Sequence, residues 1–190
     1  MSDKLTVDEI KRFDKPSKGF LCKLKDNKYA LQFLRFEIKN QVTGETFYLH
    51  EQDPLPNSDL LIDDESYSVD VQEMFDGLRT LHYCFSSKFL DSKIITSSMK
   101  FKIGDKPVKN LTIIDIFFHN QKALISYSFT FPFCVPNRIN EWEYVYEFPE
   151  LSEEIKKEMI ENPESTFSET FFLVEDELIL HNKAFYTFKF

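Results

Sequence analysis

The chain has 190 residues, of which 42% are hydrophobic and 29% charged, proportions typical of one globular domain with a sizeable core. Its formal net charge of −9 excludes binding to nucleic acid or to an anionic membrane through overall charge. No run approaches the roughly 20 apolar residues that cross a bilayer, and the start of the chain lacks the apolar stretch of a signal peptide, so we expect a cytoplasmic protein.

The N-terminal part of the chain carries one helix signal. Thr6 and Glu9 have the spacing of a capping box, which predicts a short helix from residue 7 to about residue 13. We therefore divide the chain into residues 1–18, a short helical or partly disordered segment, and residues 19–190, the folded domain.

Beyond this segment, apolar and polar residues alternate with a period of two, which is the pattern of half-buried strands. The first such stretch has Leu34, Phe36 and Ile38 on one face. Further strands are predicted around Tyr67–Val71, Leu81–Phe85, Met99–Ile103, Leu111–Phe118, Tyr127–Phe133, Phe172–Val174, Leu178–Leu180 and Ala184–Phe190. The connection from Glu51 to Glu65 is the loosest segment.

The stretch YSFTFPFCVP at positions 127 to 136 is rich in rings. Tyr127, Phe129, Phe131 and Phe133 alternate with smaller residues, so all four rings are expected on one face, pointing inward between two sheets. Pro132 removes a backbone donor, which predicts an edge strand or a local bulge.

One helix is predicted between the later strands. Ser152 has the side chain of an N-cap, acidic residues fill the first turn, and Asn162 followed by Pro163 ends the helix. It lies in an acidic region, since residues 141–180 contain thirteen carboxylates and two lysines. This region is either a solvated face or a surface that attracts a basic partner.

The predicted fold class is all-β: an immunoglobulin-like antiparallel β-sandwich with a short inserted helix and a peripheral N-terminal segment. The chain contains 21 Phe and only 4 Gly, more aromatic volume than a domain of this size usually needs. Either the rings fill the space between the sheets as an ordinary core, or they line an opening in the sandwich.

Signals for catalysis and for metal or cofactor binding are weak. His82 and Cys84 share a strand face, but the local sequence does not supply the orienting group and oxyanion donor that a nucleophilic dyad needs. The other histidines lack metal-ligand spacing, and there is no glycine-rich phosphate loop. We expect no catalytic residue, metal or cofactor, and reduced, mostly buried thiols at Cys22, Cys84 and Cys134.

Several long motifs, in order, resemble the uncoordinated-type (unc one-nineteen) lipid-binding chaperones, the acyl-binding branch of the phosphodiesterase-delta-like family. The matching segments are GFLC at 19–22, FLRFEIKN at 33–40, FKIGDKPVKN at 101–110, FPFCVPN at 131–137, YEFPELSEEI at 146–155 and LVEDELILHNKAFY at 173–186. The resemblance spans most of the chain.

The resemblance implies a sandwich with a deep apolar pocket between its sheets for the myristoyl group of N-myristoylated proteins. It implies a carrier rather than an enzyme, with only transient membrane contact and no nucleic-acid binding. A GTP-bound Arf-like GTPase would open the sandwich and release the cargo. Such carriers often deliver their acylated cargo proteins to cilia, so the expected location is cytoplasmic and in part ciliary.

The resemblance also implies the residues of the lipid site, mostly rings that pack the acyl chain, while Tyr83 and Tyr186 offer hydroxyls to the first peptide units. Asp115 stands where the family usually has Glu, Phe117 near a usual His, and Phe172 in place of a usual Tyr, which makes the mouth of the pocket more apolar. The implied lipid-binding residues are Leu34, Phe36, Tyr83, Phe89, Asp115, Phe117, Tyr127, Tyr146, Phe148, Phe172 and Tyr186.

Two alternatives remain open from the sequence. A prenyl carrier of the same fold would prefer a branched isoprenoid on a carboxymethylated C-terminus. A ligand-free protein-interaction adaptor would have its rings packed solid and use only its surface.

Overall fold

The computed structural model describes residues 5–54, 74 and 76–189. The predicted strand at residues 67–71 and most of the connection from 51 to 65 lie outside this part of the chain. The strands are β1 (Gln32–Asn40), β2 (Thr46–Glu51), β3 (Thr80–Ser86), β4 (Ile94–Lys102), β5 (Val108–His119), β6 (Lys122–Cys134), β7 (Ile139–Glu147), β8 (Thr166–Val174) and β9 (Glu177–Lys189). Helix α1 spans Val7–Ile10 and helix α2 spans Glu153–Glu161.

The strands form two packed sheets, which confirms the predicted all-β sandwich. The first sheet has the order β2-β1-β4-β7 and is antiparallel throughout. The second has the order β3-β9-β8-β5-β6. It is mixed rather than purely antiparallel, because β3 runs parallel to β9. Along their edges the sheets approach each other, β2 near β3 and β6 near β7.

Strand β5 shows how the layers are arranged. It is apolar on both faces, so its residues divide between two cores rather than between core and solvent. Ile113 and Phe117 pack between the two sheets, while Ile114, Ile116 and Phe118 pack on the opposite, outer face of the second sheet. A third layer must therefore cover that outer face.

The N-terminal segment supplies this third layer. Helix α1 begins at the predicted residue, and its capping box is present, with the Thr6 hydroxyl accepting from the Glu9 N–H at 3.3 Å. It ends at Ile10 rather than near Phe13, because the following turn is closed by a tighter i to i+3 bond, from the Phe13 N–H to the Ile10 carbonyl at 3.0 Å. Ile10 is completely buried, and Phe13 packs edge-on against Phe171.

A buried polar cluster, which we call the N-terminal latch, ties this segment to β8 and β9. The fully buried Glu169 carboxylate accepts from the Ser17 N–H at 3.1 Å and hydroxyl at 3.0 Å, and it pairs with Lys183 at 2.8 Å. The buried His181 ring accepts at Nδ1 from the Leu21 N–H at 3.1 Å. Burial, aided by the nearby positive charge of Lys183, lowers the pKa of His181 to about 3. The ring is therefore neutral, as its acceptor role requires.

Helix α2 follows its predicted signals. The Ser152 hydroxyl accepts from the Ile155 N–H at 3.3 Å, the helix ends at the C-cap Asn162, and Met159 is almost completely buried in the core between the sheets. The helix thus covers one end of the sandwich, next to Phe148 and Leu151.

Candidate functional site

The rings of β6 point between the sheets and meet the rings of β7. Because β6 and β7 belong to different sheets, no ladder of backbone hydrogen bonds joins these two fully described strands. Ring contacts bridge them instead, and we call the three closest pairs the aromatic ladder. The pairs, with centroid distances, are Tyr127 with Tyr146 (4.6 Å), Phe129 with Tyr144 (4.4 Å) and Phe131 with Trp142 (5.3 Å).

Phe133 does not continue the ladder, contrary to the expectation that four rings face inward. Its side chain is 46% exposed, whereas the next residue, Cys134, is completely buried. The change of face occurs where Pro132, which lacks an N–H, lies opposite Asn110, which has a left-handed φ of 52°. Of the two alternatives predicted from Pro132, the edge strand is confirmed, since β6 is the last strand of its sheet. The register shift in its pairing with β5 lies between Phe117 and Phe118, away from Pro132.

A larger ring cluster fills the space beside the ladder. Tyr186 lies at its centre, with ring centroids 5.4 Å from Tyr83 and 5.5 Å from Phe117. Phe36 and Tyr127 pack against the same cluster. The structure therefore brings together eight of the eleven predicted site residues. They are Phe36, Tyr83, Phe89, Phe117, Tyr127, Tyr146, Phe148 and Tyr186.

Leu34 and Phe172 are placed differently from the rest. Phe172 belongs to the adjoining cluster, where its ring lies 5.0 Å from that of Phe33. A bulge between Phe33 and Arg35 interrupts the alternation of β1. Leu34 is buried at this bulge, but it belongs to none of the core clusters. The inward position that the sequence assigned to Leu34 is occupied by Phe33.

Several rings that point between the sheets keep accessible surface. A core residue packed on all sides would be almost fully covered, as Phe85 and Phe89 are at 1% exposure each. The rings that pack against the core but remain only partly buried include Phe36, Tyr48, Tyr127, Phe129, Phe131, Trp142 and Tyr144. Such rings mark the part of the interior where a further apolar group can make contact.

Asp115 introduces a carboxyl group into this apolar surrounding. On β5 it lies between the inward-facing Ile113 and Phe117, and its neighbours across the sheet are Tyr127 and Thr170. The Thr170 hydroxyl donates to its Oδ1 at 3.0 Å. Burial raises the pKa of Asp115 to about 7, and hydrogen bonding opposes this rise only in part. At neutral pH, this carboxyl therefore exists in both charged and neutral forms.

Two buried tyrosine hydroxyls are already held by serines. The Tyr146 hydroxyl lies 3.3 Å from Ser97 Oγ, and the Tyr186 hydroxyl lies 3.0 Å from Ser168 Oγ. The Tyr127 hydroxyl donates to the Glu147 carbonyl oxygen. These bonds fix the ring orientations, so the polar groups around Asp115 are arranged before any ligand arrives.

The exchange of Asp115 for Asn is expected to change how stability depends on pH. The pKa of this carboxyl is higher in the folded protein than in the unfolded chain. Its contribution to stability is therefore complete at pH values below the pKa of the unfolded chain, and it is lost as the pH rises through about 7. Asn carries no charge, so the free energy of unfolding of the variant should be close to that of the wild type near pH 4 and exceed it by on the order of 4 kcal/mol at about pH 8.

Urea denaturation at the two pH values measures this effect. Asp105→Asn is the matched control, because Asp105 is exposed in the β4–β5 connection and its exchange should not produce a pH-dependent difference. A difference between Asp115→Asn and wild type that is the same at both pH values would contradict the predicted effect.

The residues discussed for catalysis lie on the outer surface. His82 and Cys84 are exposed, and the His82 Nδ1 lies 3.0 Å from a Glu164 carboxylate oxygen. The expectation of mostly buried thiols holds for Cys134 and is wrong for Cys84, because the outward face of β3 is open to solvent. Among the described residues there is no group of three or more side chains placed to hold a metal.

Within residues 5–54, 74 and 76–189, no helix combines the length and the apolar character that crossing a membrane requires.

Comparison with known proteins identifies a family and several relatives. The family model described as "GMP-PDE, delta subunit" matches residues 25–188. The chain is 36% identical to Protein unc-119 homolog B of Danio rerio, a match covering 97% of this chain and 74% of that protein. It is 34% identical to Protein unc-119 homolog B of Homo sapiens (98% and 72% covered) and 30% identical to Protein unc-119 of Caenorhabditis elegans (98% and 80% covered).

Proposed function

We propose a function from the premise that the chain belongs to the GMP-PDE, delta subunit, family, which has a lipid-binding fold. The protein binds the myristoyl group of N-terminally acylated proteins between its two sheets and carries them through the cytoplasm. It acts by binding and release, without catalytic turnover.

The observation that supports this proposal is the incomplete burial of inward-facing rings along the aromatic ladder. An adaptor with a solid core would cover them, whereas Phe129 and Tyr144 are in ring contact and still keep accessible surface. An acyl chain placed there gains roughly 0.8 kcal/mol per buried methylene, so about a dozen carbons offer on the order of 10 kcal/mol before the cost of immobilisation. Submicromolar binding is within this range.

The polar end of the cargo requires partners as well. Asp115, flanked by Tyr127 and Thr170, is the carboxyl available to accept from a peptide N–H when it is ionised. Tyr83 and Tyr186 belong to one core cluster, and their ring centroids are 5.4 Å apart. We assign these groups to the amide and first peptide units and the surrounding rings to the acyl chain.

Fluorescence polarisation with matched peptides tests the proposal. We expect a myristoylated N-terminal peptide to bind at least 100-fold more tightly than the same peptide without the acyl group, since that ratio corresponds to only about 3 kcal/mol. Equal affinity for the acylated and bare peptides would eliminate the proposed function. Tighter binding of a farnesylated, carboxymethylated peptide would instead favour the prenyl carrier.

We further propose that a GTP-bound Arf-like GTPase releases the cargo, and that the route includes cilia. The edge strand β6 presents one free side to a partner, and main-chain pairing along such an edge is a common recognition mode. The acidic region of residues 141–180 favours a partner surface with basic residues.

A further inference from the structure

Four inward-facing side chains that carry polar groups lie side by side across the second sheet. The strand registers place Tyr127 beside Asp115, Asp115 beside Thr170, and Thr170 beside Asn182, on the adjacent strands β6, β5, β8 and β9. Side chains in register on neighbouring strands point to the same face of a sheet, and here that face lies between the two sheets. We call these four residues the polar row.

The polar row lies along a gap in the packing between the sheets. On β9 the inward-facing neighbours of Asn182 are Leu180 and Ala184, and both are buried, whereas Asn182 is only partly buried. The same contrast occurs on β5 and β8, where the member of the row is only partly buried and the inward-facing residues on either side of it are buried. These flanking residues are Ile113, Phe117, Ser168 and Phe172. The accessible space between the sheets therefore extends along the row, across the strands.

Asn182 differs from the other members of the row in its hydrogen bonding. The Thr170 hydroxyl donates to Asp115, and the Tyr127 hydroxyl donates to the Glu147 carbonyl oxygen. In the described part of the chain, the Asn182 side chain makes no hydrogen bond. A carboxamide has two N–H donors and an acceptor oxygen, and leaving such groups unpaired inside a protein costs stability. This arrangement is expected where a ligand supplies the missing partners.

The groups along the row define the chemistry of that ligand. The Asn182 carboxamide can accept from the N–H and donate to the carbonyl oxygen of a peptide unit. A free fatty acid has no N–H, and its carboxylate would be repelled by the charged form of Asp115. Asn182 lies two strands away from Asp115, which is roughly 10 Å at the usual strand spacing and matches about three residues of extended chain. The row therefore fits an acyl chain that continues into a peptide.

We propose that Asn182 binds the peptide backbone of the cargo a few residues beyond the acylated end, as a second polar contact in addition to that of Asp115. The inference rests on the proposed acyl-binding function and adds to it a residue that recognises the peptide rather than the lipid. The peptide crosses the second sheet along the polar row, from β5 towards β9, and the acyl chain packs among the rings. The unpaired carboxamide lowers the stability of the empty protein, and bound cargo removes this cost.

Calorimetric titrations with two ligands test this assignment on the full chain. One ligand is a myristoylated peptide of about six residues, and the other is myristoyl-glycine amide, which ends before it reaches Asn182. Asn182→Leu keeps the approximate shape of the side chain and removes its hydrogen bonds. It should weaken binding of the peptide about 10-fold and leave the affinity for myristoyl-glycine amide unchanged.

The stability of the same variant gives a second readout. Leucine has no polar group to leave unpaired, so Asn182→Leu should raise the urea midpoint of the empty protein while it lowers the affinity for the peptide. Asn182→Ala, whose smaller side chain cannot block the space, should show the same selective loss of affinity. Ser128→Leu is the matched control, because Ser128 is exposed on the outer face of β6, and it should bind both ligands as the wild type does.

Three results would overturn the inference. They are an unchanged peptide affinity in both Asn182 variants, an equal loss of affinity for the two ligands, and a lower urea midpoint for Asn182→Leu. An equal loss would indicate a general disturbance of the pocket, and a lower midpoint would show that the carboxamide already has a partner in the empty protein. A wild-type protein that binds acylated and bare peptides equally would instead eliminate the proposed function, and the inference with it.

Discussion

Replacing Phe36 with aspartate is expected to abolish the binding of a myristoylated peptide. Phe36 lies in the middle of β1, packs against both clusters between the sheets, and is only partly covered. A carboxylate in this apolar space has no basic partner in the described core, and leaving it unpaired costs several kcal/mol. Each 1.4 kcal/mol corresponds to about tenfold in affinity, so a loss of at least 100-fold is expected.

The control for this experiment lies on the neighbouring strand. Leu49 is on β2, which pairs directly with β1, but its side chain is 53% exposed. Leu49→Asp places the same charge in the same sheet without entering the space between the sheets, and it should bind the peptide as the wild type does. Tyr127→Asp, at the opposite edge, should repeat the effect of Phe36→Asp. A folded Phe36→Asp protein with unchanged affinity in the polarisation titration would show that the acyl chain binds elsewhere.

The second large effect expected is nucleotide-dependent release. We expect a GTP-loaded Arf-like GTPase to increase the dissociation rate of a bound myristoylated peptide at least 10-fold, and the GDP-loaded form to leave it unchanged. A partner lowers the affinity of a ligand only by binding the opened or empty form better. The aromatic ladder makes such opening feasible at the β6–β7 edge, because side-chain contacts alone, and no shared backbone hydrogen bonds, close it.

Stopped-flow fluorescence with a labelled peptide measures this rate, and the two nucleotide states of one GTPase are the matched control. Reciprocity adds an independent readout, since excess myristoylated peptide must weaken GTPase binding by the same factor. Identical peptide off-rates with the two nucleotide states would eliminate the proposed release mechanism. Identical off-rates would not bear on the acyl-binding proposal, which the titration with matched peptides tests separately.

The sequence predicted the fold class well because the strands have a clear period and most of their ends carry turn residues. The exceptions have physical causes. The bulge beside Leu34 changes which residues of β1 point inward, and the local sequence pattern does not predict this bulge. Local sequence also does not predict the parallel pairing of β3 with β9, since this pairing joins residues about 100 positions apart, such as Tyr83 and Tyr186.

Some residues of the candidate site were missed although a signal was present. In β7 Trp142, Tyr144 and Tyr146 alternate with glutamates and a valine, which is a strand pattern, yet only Tyr146 was identified. Their partners Phe129 and Phe131 were predicted to face inward but were not assigned to the site. The ring pairs of the aromatic ladder cannot be predicted from the sequence of either strand alone, because the sequence does not show that β6 and β7 lie opposite each other.

The many phenylalanines of this chain do not all lie between the sheets, where the pocket was predicted. Part of it lies on the outer face of the second sheet, where Phe118 stacks on Phe167 and Phe13 contacts Phe171. Sequence alone does not separate these rings from the inner ones, because β5 and β8 carry apolar residues on both faces. Only the third layer explains why both faces need apolar side chains.

The N-terminal latch has a consequence for how the molecule folds during synthesis. It joins Ser17 to Glu169 and Leu21 to His181, pairs that lie 152 and 160 positions apart. Because the ribosome releases the amino-terminal end first, the segment that forms the third layer must wait until β8 and β9 have emerged. Contacts between such distant positions form slowly, since chain entropy is lost before any contact is gained. The outer face of β5 and β8 therefore stays uncovered until the last two strands have left the ribosome, although the segment that covers it is made first.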